Sequence, residues 1–232
     1  MTDTLELRET RRKFLVRSGM LLAAAGLSAC SREPEKETKP IPATEDLMRE
    51  HGVMRRIMLV YDDLVRRLTQ GEEVPLQALT EANYIVRTYM QDHHEINEQF
   101  QVFNRFSQAG KMVELVATLY QQHLAGRKLL DKIKILSTEE TLKNPSERSK
   151  MAESLTTLNQ LYRHHAAWED TVLFPAFRPV ISPQDFAALS ETFAKQEQKL
   201  FGREGYEKIV GQVADLEKML GIHDLQHYTP KL

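Results

Sequence analysis

Four long stretches of this chain repeat apolar residues every three to four positions, and a histidine falls in or beside each stripe. The repeat is that of an amphipathic helix seam, which is stable only when another helix covers it. The first stretch begins with Thr44 as N-cap, runs to about Thr69 and stops at Gly71. Its seam reads Leu47, His51, Met54, Met58, Tyr61, Val65 and Leu68. Pro75 opens the second, which continues to about Ser107 with Leu79, Ala82, Val86, Tyr89, Ile96, Phe100 and Phe103 along its seam. The third, Lys111 to about Leu136, lines up Met112, Val116, Leu119, His123, Gly126, Leu130 and Ile133. After the polar Asn144-Pro145-Ser146, the fourth runs from about Glu147 to Phe177 with Met151, Leu155, Leu158, Tyr162, His165, Glu169, Val172 and Ala176. Four long helices with short connections predict an all-α chain folded as an up-down-up-down four-helix bundle. Ser182-Pro183 opens further helical sequence, broken at Gly202 to Gly205 and near Gly221, so extra C-terminal helices follow.

Burying an imidazole without a partner costs several kcal/mol, and one seam histidine usually finds a local partner. His51, His123 and His165, one per helix, need a shared explanation. The second helix offers adjacent histidines: its seam passes through His93, with His94 one position round. Spacing decides for His94, because Glu98 follows at i,i+4 on the same face, as Glu169 follows His165. His93 at that spacing meets Asn97 and His164 meets Trp168, neither a good metal ligand. Composition alone produces such pairs, but it does not place them at mid-depth on helices two and four with lone seam histidines on helices one and three. His51, His94, Glu98, His123, His165 and Glu169 converging at one level are what a dinuclear metal site in a bundle requires. These ligand types do not select iron uniquely, so Zn or Mn stays open. Tyr61, Tyr120 and Tyr162 are expected to pack near the ligands. His93, His164 and Glu95 are either ligand-orienting partners or solvated positions.

Glu50-His51, His94-Glu95-Ile96-Asn97-Glu98, His123-Leu124-Ala125-Gly126-Arg127 and His165 through Glu169-Asp170 to Phe174-Pro175 resemble the four motifs of the hemerythrin/HHE cation-binding family. The resemblance covers about residues 44–178. It implies a non-haem centre of two Fe ions, bridged by the two carboxylates, that meets O2, NO or peroxide. One departure stands out. Hemerythrin carries a second histidine on the third helix, four residues from the first, and here those positions are Leu119 and Arg127. That points away from plain reversible O2 carriage. Three functions stay open on this reading: an O2 or NO binder, sensor or store; a di-iron enzyme acting on peroxide or O2; and a metal-free or Zn/Mn bundle.

The first thirty residues read as an address. Thr10-Arg11-Arg12-Lys13-Phe14-Leu15 resembles the twin-arginine export motif, and an apolar stretch from Gly19 to Ala29 follows, too short for a membrane span of roughly 20 residues. Leu27-Ser28-Ala29-Cys30 looks like a lipoprotein cleavage site, with Cys30 the chain's one cysteine. The expected organisation is a signal peptide over 1–29, a lipidated Cys30 and flexible tether over 30–43, the bundle over 44–178 and a helical extension over 179–232. The expected location is the cell envelope, membrane-anchored, on the periplasmic face if the cell is Gram-negative. A formal charge of −2 gives no electrostatic case for nucleic acid. A single cysteine excludes an internal disulfide framework. Changing Cys30→Ser is expected to abolish lipidation and lipid-dependent cleavage, moving the protein out of the membrane fraction. Processing and fractionation identical to wild type would refute the lipoprotein reading.

Overall fold

The computed structural model describes residues 40–231. The signal peptide, Cys30 and nearly all of the tether lie outside the described residues. Among those described, helices account for the regular structure: α1 (Ala43–Gln70), α2 (76–108), α3 (Val113–Leu136), the short α4 (Glu139–Lys143), α5 (Pro145–Trp168), α6 (Pro183–Phe201) and α7 (Gly205–Leu220). The chain is all-α, with α1, α2, α3 and α5 forming the bundle and α6 and α7 added to it.

The alternation of direction follows from which core each helix end enters. One core is rich in phenylalanine, the other in methionine and leucine. Helix α1 leaves the phenylalanine core at Ala43 and Leu47, passes His51 and enters the other at Val53 and Met54. Helix α2 runs back, from Leu79 and Ala82 through His94 and Glu98 to Val102 and Phe106. Helix α3 descends from Val116 and Leu119 through His123 to Leu130 and Ile133, and α5 returns from Met151 and Leu155 through His165 to its end. Each helix thus carries its polar residues where it crosses between two apolar layers.

Helix ends mostly follow local chemistry, with two differences from expectation. Asn144 caps α5, its Oδ1 accepting from the N–H groups of Ser146 and Glu147, and Pro145 takes the first position, where no N–H is needed. Gly71 closes α1 at φ 72°, a left-handed cap suited to glycine. Thr44, however, is not the cap of α1. The helix starts at Ala43, whose N–H donates to Ser190 Oγ of α6 at 3.0 Å, so a tertiary partner does what a capping side chain does elsewhere. Helix α3 starts at Val113 rather than Lys111, because Met112 takes the left-handed conformation (φ 51°) while its side chain packs on the phenylalanine core.

The seams of α2 and α5 depart from expectation more deeply. Val86–His94 and Glu98–Phe103 of α2, and Glu169–Leu173 at the end of α5, form wide π-helical turns. In the last, the Phe174 N–H donates to Glu169 O, five residues back, at 2.9 Å. Each wide turn uses an extra residue, so the stripe beyond it slips round the helix. Past Glu169 the core takes Leu173 and Phe177 in place of Val172 and Ala176, which are only half-buried. Past Glu98 it takes Val102 and Phe106 beside the expected Phe103, and Phe100 is left 62% exposed. His93 and His94, at the end of the first wide turn, are both buried.

The C-terminal helices lie along α1. Helix α6 adds Phe186, Leu189 and Phe193 to the phenylalanine core, and α7 adds Ile209, Val213, Leu216 and Leu220 to the other. Ionic contacts tie them down: Arg49 to Glu197 at 3.0 Å and Arg56 to Glu217 at 2.6 Å. Arg67 also donates to Leu220 O.

Gly126 of α3 faces Tyr162 of α5 so closely that a Cβ there would stand 2.9 Å from the phenol oxygen. That oxygen is held by Gln91 and Glu95, so the ring has little freedom to retreat. Gly126→Ala is expected to cost about 1–3 kcal/mol through overpacking. Gly211→Ala on α7, where nothing lies within 4 Å, should instead stabilise by about 0.5–1 kcal/mol through helix propensity. Urea denaturation of both variants checks the contrast in sign.

Candidate metal centre

The structure gathers His51, His94, Glu98, His123, His165 and Glu169 between the two apolar cores, all of them buried. They form two facing imidazole pairs with the carboxylates between. His51 Nε2 lies 3.0 Å from His94 Nε2, and His123 Nε2 lies 3.0 Å from His165 Nε2. Glu98 Oε1 stands 3.3 Å from His94 Nε2 and its Oε2 3.4 Å from His123 Nε2, so one carboxylate serves both pairs. Glu169 Oε2 stands 3.0 Å from His165 Nε2 and 3.4 Å from His51 Nε2, and serves both as well.

No donor is aligned on any of the four carboxylate oxygens of Glu98 and Glu169, although all are fully buried. An ionised carboxylate left in that state costs far more than a folded chain can spare. Because His51 and His94 both give Nδ1–H to carboxylates, their facing Nε2 lone pairs, 3.0 Å apart, also need something positive between them. A cation answers both demands. Potential ligand atoms fall into two groups within coordination reach, Glu98 with His123, His165 and Glu169, and Glu98 with His51 and His94. The donor set of imidazole nitrogen and carboxylate oxygen suits a transition metal.

Each imidazole is aimed inward by a bond to its other nitrogen, and each bond comes from the preceding helix of the bundle. Glu50 of α1 receives His94 Nδ1 of α2 at 2.7 Å. The Gln99 amide N–H of α2 donates to His123 Nδ1 of α3 at 2.8 Å, and His165 Nδ1 of α5 donates to Gln122 Oε1 of α3 at 3.0 Å. Asp170, directly after α5, closes the ring on His51 Nδ1 of α1 at 2.7 Å. At His51, His94 and His165, where Nδ1 donates to an oxygen, Nε2 is the nitrogen presented to a metal. Phe174 stacks on His51 and Phe103 on His123, with ring centroids 5.7 and 5.3 Å apart, keeping water from both sides.

Across the layer, attraction between imidazole and carboxylate outweighs burial. Burial works against the charged form of His94, yet Glu98 and Glu50 lift its pKa well above the ordinary value. His51 and His165 are raised against the same burial, by Asp170 with Glu169 and by Glu169 respectively. Burial would raise Glu98, but the facing His94 and His123 hold it well below the usual carboxylate range. Metal binding replaces those protons.

Other residues weighed in the sequence divide. His93 is buried and contacts Glu50 Oε1 at 3.2 Å, so it braces a bracing residue. Glu95 is buried and accepts from Tyr162 and Arg127, without touching any ligand imidazole. His164 is exposed, as is Tyr120 at 41%, whereas Tyr61 is buried and donates to Asn83 Oδ1. Glu50 and Asp170 stand in the motifs without an assigned role, and Gln99 and Gln122 are not singled out by the sequence. They carry one common sign in the sequence: each is the immediate neighbour of a ligand, His51, Glu98, His123 and Glu169 in turn.

A bundle with this buried histidine and glutamate layer defines a cation-binding protein, and the chain belongs to the hemerythrin HHE cation-binding domain family, whose model matches residues 43–177 and, in a second segment, 116–203. It is 38% identical over 231 residues to the uncharacterized proteins Rv1995 of Mycobacterium tuberculosis and Mb2018 of Mycobacterium bovis. The match covers 95% of this chain and 91% of each relative. No solved structure matches the chain.

Burial alone would raise the Glu50 carboxyl, but its bonds to His93 and His94 lower it from 4.5 to about 2. A carboxylate depressed on folding contributes stability above its unfolded value and loses it as pH falls through the folded one. The metal-free protein is therefore expected to lose stability between about pH 4.5 and 2, and Glu50→Gln should lose less over that window. Denaturation midpoints across pH 2–7 test the difference in slope.

Proposed function

We propose that this chain is a non-haem di-iron protein of the cell envelope whose ligand is O2, NO or peroxide. His51 and His94 would hold one iron and His123 and His165 the other, with Glu98 and Glu169 as the carboxylate ligands. The observation that carries the reading is the layer of four buried carboxylate oxygens without donors, set between two facing Nε2 pairs. The irons supply redox chemistry toward small oxidants when bound. The protein's part is to set the donor atoms, through the ring of Nδ1 bonds, and to exclude water with the stacked phenylalanines and the two apolar cores. A site this deeply buried favours a small ligand over a large substrate.

Export and lipidation belong to the same proposal, supported by Arg11-Arg12 and Cys30. Among the described residues no helix is long and apolar enough to cross a membrane. In this reading Cys30 carries the attachment.

Turnover of peroxide or O2, rather than reversible binding, is favoured by one observation on α3. Leu119 is buried and apolar, and Arg127 is spent on Glu95, Asp92 and the Gln91 carbonyl. Neither position supplies the fifth imidazole that hemerythrin itself uses, so more of the metal coordination is left to exogenous ligand.

Protein purified without added metal is expected to carry about two irons per chain, as a dinuclear site requires, and His94→Ala or His165→Ala should lose most of that iron. Unchanged metal content in both variants would overturn the assignment. With hydrogen peroxide, sustained gas evolution supports turnover. An O2 adduct that survives repeated oxygen and vacuum cycles without consuming peroxide supports a carrier. Leu119→His should move the protein toward the carrier's behaviour.

A further inference from the structure

Resting on the dinuclear reading above, we propose that the two metal positions are unequal: the position between His51 and His94 fills first and holds its ion more tightly than the one between His123 and His165. Glu98 joins both positions; Glu169 completes a ligand group with His123 and His165 and stands 3.4 Å from His51 Nε2, so ligand count does not favour the His51 and His94 position. The difference lies in what stands behind the rings. His51 and His94 give their Nδ1 protons to carboxylates, Asp170 and Glu50, at 2.7 Å each. His165 Nδ1 instead meets a neutral amide oxygen, Gln122 Oε1, at 3.0 Å, and His123 Nδ1 accepts from the Gln99 amide N–H at 2.8 Å.

A carboxylate acceptor draws the Nδ1 proton toward itself in a short, charge-assisted bond. The ring gains anionic character, and its Nε2 becomes a stronger donor to a metal. An amide does this far less. Both carboxylates are fixed in place: Arg55 pairs with Asp170, and His93 contacts the second oxygen of Glu50. Further negative charge stands behind Glu50, where ligand-type oxygens of Asp46, Glu50 and Glu197 lie within 4.8 Å of one another. Arg49 offsets part of it through Asp46 at 2.6 Å and Glu197 at 3.0 Å. On the other side the buried carboxylate Glu95 is bonded to Tyr162 and Arg127 and bonds neither ring, acting on His123 and His165 only through its charge. The charge pattern of the bracing ring, two carboxylates followed by two amides, therefore makes one half of the centre the anchor and the other the exchangeable half.

The test is a calorimetric titration of the metal-free full chain with ferrous iron under argon, repeated with cobalt(II) so that absorption bands report each site. Two binding steps are expected, separated by at least about 10-fold in affinity, the scale of bracing-residue effects on metal sites. His165→Ala should remove the weaker step and leave the tighter one, and His94→Ala the reverse. Asp170→Asn keeps an acceptor of the same shape without its charge, and should weaken the tighter step by about 10–100-fold. Gln122→Glu adds the missing charge and should strengthen the weaker step, a gain that a merely structural role would not produce. Two ions bound with one shared affinity would overturn the inequality and leave the dinuclear reading intact. So would loss of the weaker step in Asp170→Asn. Binding of a single ion, in one step, would overturn the dinuclear reading itself and this inference with it.

Discussion

Four imidazoles and two carboxylates at mid-height of a bundle must each find a partner, because the low-dielectric interior magnifies both the reward of a satisfied network and the cost of an incomplete one. Here that requirement is met on the outer side by a ring that passes once round the bundle. Glu50 of α1 braces α2, Gln99 of α2 braces α3, Gln122 of α3 braces α5, and Asp170 after α5 braces α1. Sliding any of these helices by a turn would break the bond it gives and the bond it receives. The apolar layers above and below are tolerant of such a slip, since one methionine or leucine resembles the next. The polar layer is not. It sets the helix register, and the cores supply the area that holds that register together.

The wide turns in α2 and α5 follow from the same demand. A regular helix returns to one face every three or four residues. Glu98 and Glu169 must face the centre while the next apolar residues still reach the phenylalanine core. A wide turn beginning at each glutamate meets both needs, shifting the stripe to Val102 and Phe106 on α2 and to Leu173 and Phe177 after α5. Such turns are rare in helices and concentrate at functional sites, where a side chain has to be re-aimed.

The added helices α6 and α7 extend the site's support rather than sit apart from it. Phe201 packs against both Tyr89 and His93, ring centroids 5.2 and 5.3 Å away, and Arg49 lies over Tyr206 at 3.9 Å. His93 in turn contacts Glu50, which braces His94. The extension thus buries the outer side of the carboxylate-braced half of the centre, where solvent would otherwise weaken the charge-assisted bonds.

The sequence by itself determined the helical periodicity, the bundle and its direction, and pointed to six side chains that the fold gathers into one layer. It could do so because periodicity and i,i+4 spacing are local properties, and because histidine in an apolar stripe contradicts its surroundings. It also left His93 against His94 to be argued from spacing, since a 3.6-residue repeat does not foresee a wide turn. Only the tertiary structure decided the rest. Glu50, Gln99, Gln122 and Asp170 sit one position from a ligand, and the sequence assigns none of them a role at the site. Each acts on the next helix of the bundle, and no property of a single helix records what a neighbour places opposite it. Met112 in its left-handed turn and Ala43 capped by Ser190 are decided in the same way, by packing that brings together residues far apart in the chain.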